Sequence, residues 1–221
     1  MIYGGPSTQL TARQHKRERR EVFAARMAVP QYLNWSSTPI TFDRDDHPDR
    51  VVAPSVYPLV VDPVIVNARL SKVLMDGGSS LNIIYLETLD LLGINRTQLE
   101  PSAGGFHSVV PGKKALPVGR IDLPVCFGTA ANFRKETLTF EVVGFRGTYH
   151  AIIERPGYAK FMAIPNYTYL KLKMPGPKGV ITVSSSYEHA YEYDVECVEY
   201  GEALESSTEL VSKLRPWPLR P

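Results

Sequence analysis

The chain has 221 residues, with 25 Lys and Arg against 23 Asp and Glu, and its formal net charge is +2. This balance does not require a nucleic-acid partner, and the length allows one domain of ordinary size with flanks, or two small ones. Hydrophobic residues make up 43% of the chain and 18 residues are proline, which favours strands and turns over long helices.

The two cysteines, Cys126 and Cys197, offer neither a metal-ligand spacing nor a disulfide framework. We therefore expect two reduced thiols, no metal site and no cofactor. The chain lacks a run of about 18–20 apolar residues, the length that spans a membrane, and its N-terminus lacks a positive-then-apolar signal. These features predict a soluble, cytoplasmic protein without membrane contact.

A basic segment near the N-terminus is predicted to form a helix over about 12–28, opened by a capping box of Thr11 and Gln14. Its basic residues could contact the phosphates of a nucleic acid. The basic run contains no interleaved aromatic residues, which favours a solvated helix face instead. A nucleic-acid-binding or scaffold role stays open for this N-terminal flank, residues 1–56.

An acidic cluster with one histidine follows in the same flank. Carboxylates beside a histidine suggest a metal site, but no glycine turn or closing Glu follows, as a calcium loop would require. A solvated loop is the favoured interpretation. The cluster consists of Asp43, Asp45, Asp46, His47 and Asp49.

Residues 57–183 have the pattern of a β domain. Two apolar strands within 57–75 predict a hairpin, and from Ser80 to Ile94 the apolar residues change to a helical spacing, with Gly93 as the C-cap glycine. Alternating apolar residues then predict further strands, and a short helical or turn segment is expected near 158–162, before the last two strands. These strands are expected around 121–127, 138–142, 149–153, 167–172 and 179–183.

The most unusual stretch is 72–94, in which an apolar strand delivers a single carboxylate, Asp76, that is followed by Gly77, Gly78 and Ser79. Burying a carboxylate is costly unless hydrogen bonds compensate it. Glycines allow backbone amides to approach closely, so this pattern predicts a loop whose amides hold Asp76.

This stretch resembles the active-site loop of retropepsin-like aspartic proteases, in which Asp-Thr/Ser-Gly-Ala/Ser follows an apolar strand. Together with other segments, the chain resembles the protease segment of plant gypsy-type LTR retrotransposon gag-pol polyproteins over most of residues 12–200. The resemblance implies a mainly β, retropepsin-like closed or partly open barrel with one or two short helices, an N-terminal helix and a partly disordered C-terminal tail. The further segments are 40–50, 57–65, 106–128, 136–165 and 169–183.

The resemblance also implies an aspartic endopeptidase that cuts its own polyprotein, in the cytoplasm or in a virus-like particle. Such chemistry needs two carboxylates that share a proton, and the sequence has no second Asp followed by glycines. The active form would therefore be a homodimer with Asp76 from each subunit on the two-fold axis. Residues 184–221, with eight acidic and three basic residues, would form a linker toward an absent reverse transcriptase.

The resemblance assigns roles to the residues around the catalytic position. Ser79 matches the position whose hydroxyl bonds the outer oxygen of the catalytic carboxylate, and the amide of Gly78 would help to hold the pair. The hairpin around 109–117 takes the place of the flap that closes over substrate. The expected flap residues are Val110, Pro111, Gly112 and Lys113.

Two residues depart from the family pattern. Gly77 stands where the family carries Thr or Ser, whose hydroxyl ties the two active-site loops together. Glu154 stands where the pattern has glycine, behind the loop, and a second charge beside Asp76 would be costly without a partner. Three hypotheses follow: an active protease, an inactive remnant that keeps the fold, and a nucleic-acid-binding or scaffold segment.

Overall fold

The computed structural model describes residues 39–49, 53, 55–102, 106–107 and 114–213, and four helical positions at 13, 16, 17 and 20. Those four positions are exposed and fall within the predicted basic helix, whose remainder lies outside the described residues. None of the helices in the described part is long and apolar enough to cross a bilayer.

The fold is mainly β, with a curled eight-stranded sheet and few short helices, as predicted. The eight strands run in the order β1-β4-β10-β5-β9-β8-β2-β3, while β11-β12-β13 and β6-β7 form two smaller sheets. The strands are β1 (Val60–Val61), β2 (Val64–Ile65), β3 (Ala68–Arg69), β4 (Val73–Met75), β5 (Asn82–Tyr85), β6 (Phe106–His107), β7 (Lys114–Ala115), β8 (Gly119–Thr129), β9 (Asn132–Val143), β10 (Ala151–Ile153), β11 (Ile164–Asn166), β12 (Lys171–Gly176) and β13 (Gly179–Ser184).

Within residues 55–213 that the structure describes, three α-helices accompany these strands. Helix α1 (Leu86–Leu91) follows β5, helix α2 (Arg155–Phe161) follows β10, and helix α3 (Tyr187–Lys213) follows the last strand. Helix α1 ends at Leu91 with Leu92 as its C-cap, and Gly93 follows with a φ of +69° and an N–H bond to the Asp90 carbonyl, in the terminating position that was predicted for it.

The long antiparallel pair β8 and β9 confirms the period-two prediction. Along β8 the buried positions alternate with more exposed ones, so one face of the strand enters the main hydrophobic core. The predicted hairpin within 57–75 is also present, because β1 pairs with β4 and β2 with β3 around a turn near Asn67.

The helix predicted from residue 80 is wrong over its first part. Asn82 to Tyr85 form strand β5, and all four residues are buried. Because β10 and β9 flank this strand and both of its faces are covered, it shows no alternation of apolar and polar residues. The short helix α1 that follows this strand agrees with the one or two short helices that the resemblance implies.

The C-terminal segment was expected to be a partly disordered linker. Its residues 187–213 form a helix. Ala190 is fully buried in the main core, and Tyr187 and Tyr193 pack against the domain, so these apolar residues dock the start of helix α3. The division of the chain at 57 and 183 stays a prediction.

The acidic cluster is not a fully solvated loop. Asp43 caps a short 3-10 helix, Arg44–Asp46, and Asp46 is buried against Lys173 at an Oδ2–Nζ distance of 2.5 Å. The Lys173 contact lowers the pKa of Asp46, and Lys173 also donates to the Thr41 carbonyl at 2.9 Å. The cluster therefore attaches the N-terminal flank to β12.

Candidate active site

Two parallel strands end side by side and present the residues of the site. Strand β4 pairs with β10 in parallel, with Met75 opposite Ile153, so Asp76 and Glu154 are the first residues beyond the paired positions. The Asp76 N–H continues the ladder by donating to the Ile153 carbonyl at 2.9 Å. The carboxyl ends of the two strands thus bring two acidic residues to one edge of the sheet.

The glycine loop holds Asp76 as the sequence predicted. The Gly78 N–H donates to Asp76 Oδ1 at 2.8 Å. A Cβ at Gly78 would lie 3.1 Å from that same oxygen, so a side chain there would crowd the carboxylate. A Cβ at Gly77 would meet nothing within 4 Å, and this position has room for the Thr or Ser of the family pattern.

Ser79 is fully buried, and its described hydrogen bonds differ from the role that the resemblance implies. Its hydroxyl accepts the Leu81 N–H at 3.3 Å, while its N–H donates to Glu154 Oε2 at 2.7 Å. Its carbonyl accepts from Arg155, from Nε at 2.8 Å and from the backbone N–H at 3.3 Å. The expected Ser79–Asp76 hydroxyl bond is not among these contacts and stays a prediction for the dimer.

Glu154 has a partner that sequence reasoning missed. Its side chain is 0% exposed, and Oε2 accepts the Ser79 N–H, whereas Oε1 is buried without a hydrogen bond. The Glu154 N–H donates to Asn82 Oδ1 at 2.9 Å, and Asn82 Nδ2 donates to the Thr139 carbonyl at 3.0 Å. The residue therefore belongs to a buried network that joins the loop to β5 and β9.

Burial raises the pKa of Glu154 to about 7. The Ser79 N–H opposes this change, the charge of Asp76 adds to it, and the Arg155 guanidinium opposes it. Asp76 and Glu154 are therefore close enough to interact electrostatically, and the interaction favours the neutral acid at Glu154.

An apolar row lies on the sheet face opposite the main core, beside this edge. The pairings place Val60 opposite Leu74, Leu74 opposite Ile152, and Ile152 opposite Ile83, so these four side chains form a row across β1, β4, β10 and β5. They belong to a second hydrophobic cluster that Tyr193 of helix α3 contacts. We name these four residues the apolar row.

Helix α3 contacts Lys72, which precedes strand β4, through one charged and one aromatic side chain. Glu196 accepts from Lys72 Nζ at 2.7 Å, and the same ammonium lies 4.8 Å from the centre of the Tyr193 ring. Helix α3 of the same chain therefore packs against the cluster to which the apolar row belongs.

The predicted flap falls mainly outside the described residues. Strands β6 and β7 form a two-stranded antiparallel hairpin in which Phe106 pairs with Ala115 and His107 with Lys114. The four residues that the resemblance assigned to the flap lie outside the described residues: Val110, Pro111, Gly112 and Lys113.

No group of three or more His, Cys, Asp or Glu that could hold a metal ion occurs among the described residues. Cys126 and Cys197 are both free. The acidic groups of this edge are Asp76, held by an amide, and the buried Glu154.

Comparison with known proteins found similarity among solved structures. No protein-family model and no curated protein matches the chain. Among solved structures, the chain is similar to the retroviral protease-like domain of Ddi1 from Leishmania major, with a TM-score of 0.44 and 18% identity. The similarity covers 61% of this chain and 97% of that domain.

Proposed function

We propose that the chain is an aspartic endopeptidase that acts as a homodimer through Asp76. The observation that carries this proposal is the loop itself, in which a carboxylate at the end of a buried strand accepts the Gly78 N–H. In an aspartic protease one carboxylate activates a water and the other protonates the scissile carbonyl. One chain offers one such Asp, so a second copy completes the pair.

The substrate in this proposal is a polypeptide, namely the chain's own polyprotein in the cytoplasm or in a virus-like particle. The apolar row offers non-polar side-chain contacts next to the Asp76 edge. A peptide bound at the apolar row would compete with Tyr193, so the start of helix α3 would have to move away from that row. The retrotransposon origin rests on the sequence resemblance.

The inactive remnant stays the alternative to this proposal, and that hypothesis was drawn from Gly77 and Glu154. Glu154 was expected to disturb the loop, but its carboxyl accepts the Ser79 N–H and occupies the buried position without displacing the Gly78–Asp76 contact. The nucleic-acid hypothesis depends on the helix over 12–28, most of which lies outside the described residues.

Substitution of Asp76 by Asn tests the proposal. We expect Asp76→Asn to abolish cleavage of a peptide library, because an amide cannot share the catalytic proton, while the dimer mass by light scattering is unchanged. The matched control is Asp45→Asn, the same change at an exposed carboxyl in the N-terminal flank. Cleavage retained by Asp76→Asn would reject the assignment, and a folded, dimeric wild-type chain without cleavage would favour the remnant.

A further inference from the structure

The peptide backbone of Ser79 is held on both sides by two consecutive residues. Its N–H donates to Glu154 Oε2 at 2.7 Å, and its carbonyl accepts from Arg155 Nε at 2.8 Å. Because Ser79 is fully buried, these side chains replace the pairing that water or a neighbouring strand would otherwise give. The loop between Asp76 and Ser79 is thus fixed at its far end.

We propose that Glu154 is a positioning residue for Asp76, holding the Ser79 amide and so fixing the loop that presents the catalytic carboxylate. This inference rests on the proposed function, since positioning matters only if Asp76 reacts. It assigns a use to the residue that departs from the family pattern. Glu154 touches neither substrate nor the reacting atoms and acts through Ser79.

Replacement of Glu154 by glycine should therefore harm the site. Glycine would leave the buried Ser79 N–H without its acceptor, and an unsatisfied buried donor costs more than the bond itself contributes. The Glu154 backbone N–H, which donates to Asn82 Oδ1, remains available in glycine, so the loss falls on the Ser79 contact. We therefore expect Glu154→Gly to lower the cleavage activity and not to raise it.

The charged and titratable groups around Glu154 explain how a carboxyl is tolerated beside Asp76. Asp76 faces it from the end of β4, Arg155 and Tyr158 from helix α2, and β5 contributes the uncharged Asn82. Burial, with a smaller contribution from the charge of Asp76, raises the pKa of Glu154 to about 7, so the carboxyl is neutral in acid. The neutral form still accepts the Ser79 N–H and places no second charge next to Asp76.

Two variants of similar size separate the role of the acceptor from that of bulk. Glu154→Gln keeps an acceptor oxygen and cannot ionise, whereas Glu154→Met fills a similar space and cannot accept the Ser79 N–H at normal strength. The full-length dimer is compared at pH 5 by peptide cleavage and by hydrogen exchange of the amides in 77–81. The exchange measurement requires no activity.

We expect Glu154→Met to speed hydrogen exchange of the amides in 77–81 roughly tenfold, because one hydrogen bond is lost. The kcat of this variant should fall while KM changes little, and Gln should restore both kcat and protection. Wild-type cleavage and protection in the Met variant would overturn the proposal. The expected exchange pattern without cleavage by any form would support the contact and reject the proposed function, so the two failures are distinct.

A second measurement does not depend on the folding of the Met variant. In protein labelled with ¹³C at the Glu carboxyls, one carboxyl should titrate near pH 7 and be missing in Glu154→Gln. Its midpoint should fall in Asp76→Asn, because the Asp76 charge raises it. A set of Glu carboxyls that all titrate at ordinary values, with no response to Asp76→Asn, would overturn the described arrangement.

Discussion

The buried carboxyl of Glu154 should make the stability of the folded chain depend on pH. Its pKa rises from 4.5 in the unfolded chain to about 7 in the folded protein, chiefly because of burial. A raised pKa means that the folded state binds the proton more tightly. The resulting stabilisation is complete below pH 4.5 and is lost as the pH rises through 7.

The size of this effect follows from the shift. Each pKa unit corresponds to 1.36 kcal/mol, so the change from 4.5 to about 7 corresponds to about 3 kcal/mol of unfolding free energy between pH 4 and pH 8. Glu154→Gln cannot titrate and should lack this loss. Other groups contribute in both proteins, including His150, whose pKa is lowered by burial and whose effect has the opposite sign.

Urea unfolding at fixed protein concentration measures the difference directly. The unfolding free energy of wild type minus that of Glu154→Gln should fall by about 3 kcal/mol from pH 4 to pH 8, with most of the change between 4.5 and 7. Taking the difference removes the groups that the two proteins share. A difference that stays constant across this range would refute the assignment of a buried, proton-binding Glu154.

Three further substitutions test other parts of the structure. Asp46→Asn should lower the unfolding free energy by about 3 kcal/mol, because it leaves Lys173 buried without its partner. Gly157→Ala should cost about 1–3 kcal/mol since its Cβ would overlap a side chain of β10, whereas Gly77→Ala meets open space and should cost far less. Tyr193→Ala should uncover the apolar row and lower the KM for peptides several-fold if the proposed function holds, with no change in kcat.

Each of these substitutions has a result that would count against it. Urea unfolding checks the first two, and an Asp46→Asn protein as stable as wild type would mean that the N-terminal flank is not held by Lys173. Equal effects of alanine at 157 and at 77 would contradict the close packing of helix α2. For Tyr193→Ala, steady-state kinetics with an unchanged KM would show that helix α3 does not compete with peptide, and Glu192→Ala, at an exposed position of the same helix, is the control.

The residues that could be predicted from the sequence are those whose role leaves a local pattern. The alternation of apolar residues along β8 reflects one buried face of the strand. Asp76 followed by two glycines predicts a carboxylate that is held by a backbone amide. Strand β5 leaves no such pattern because it is buried on both faces, so its apolar residues were assigned to a helix. Helix α3 was missed because acidic composition masks the few apolar residues that dock its first turns.

The partner of Glu154 could not be predicted for a different reason. It is a backbone N–H that lies 75 residues earlier in the chain, and main-chain donors are present at every position except proline. Only the parallel pairing of β4 with β10, in which Met75 stands opposite Ile153, brings the two together. The sequence showed the cost of a second acid near Asp76 but not the contact that offsets it.

The contact between Ser79 and Glu154 also concerns the choice between an active enzyme and an inactive remnant. A buried carboxyl without any partner would destabilise the loop that an aspartic protease must keep rigid. Here one oxygen of Glu154 binds the loop, and the raised pKa removes the charge in acid, the condition under which two Asp76 carboxylates of a dimer can share one proton. In the proposed dimer, the neutral form of Glu154, which places no second charge beside Asp76, would therefore be present when the two Asp76 carboxyls share one proton. If the proposed function holds, Glu154 would add no second charge beside Asp76 below about pH 7 and would add one above it.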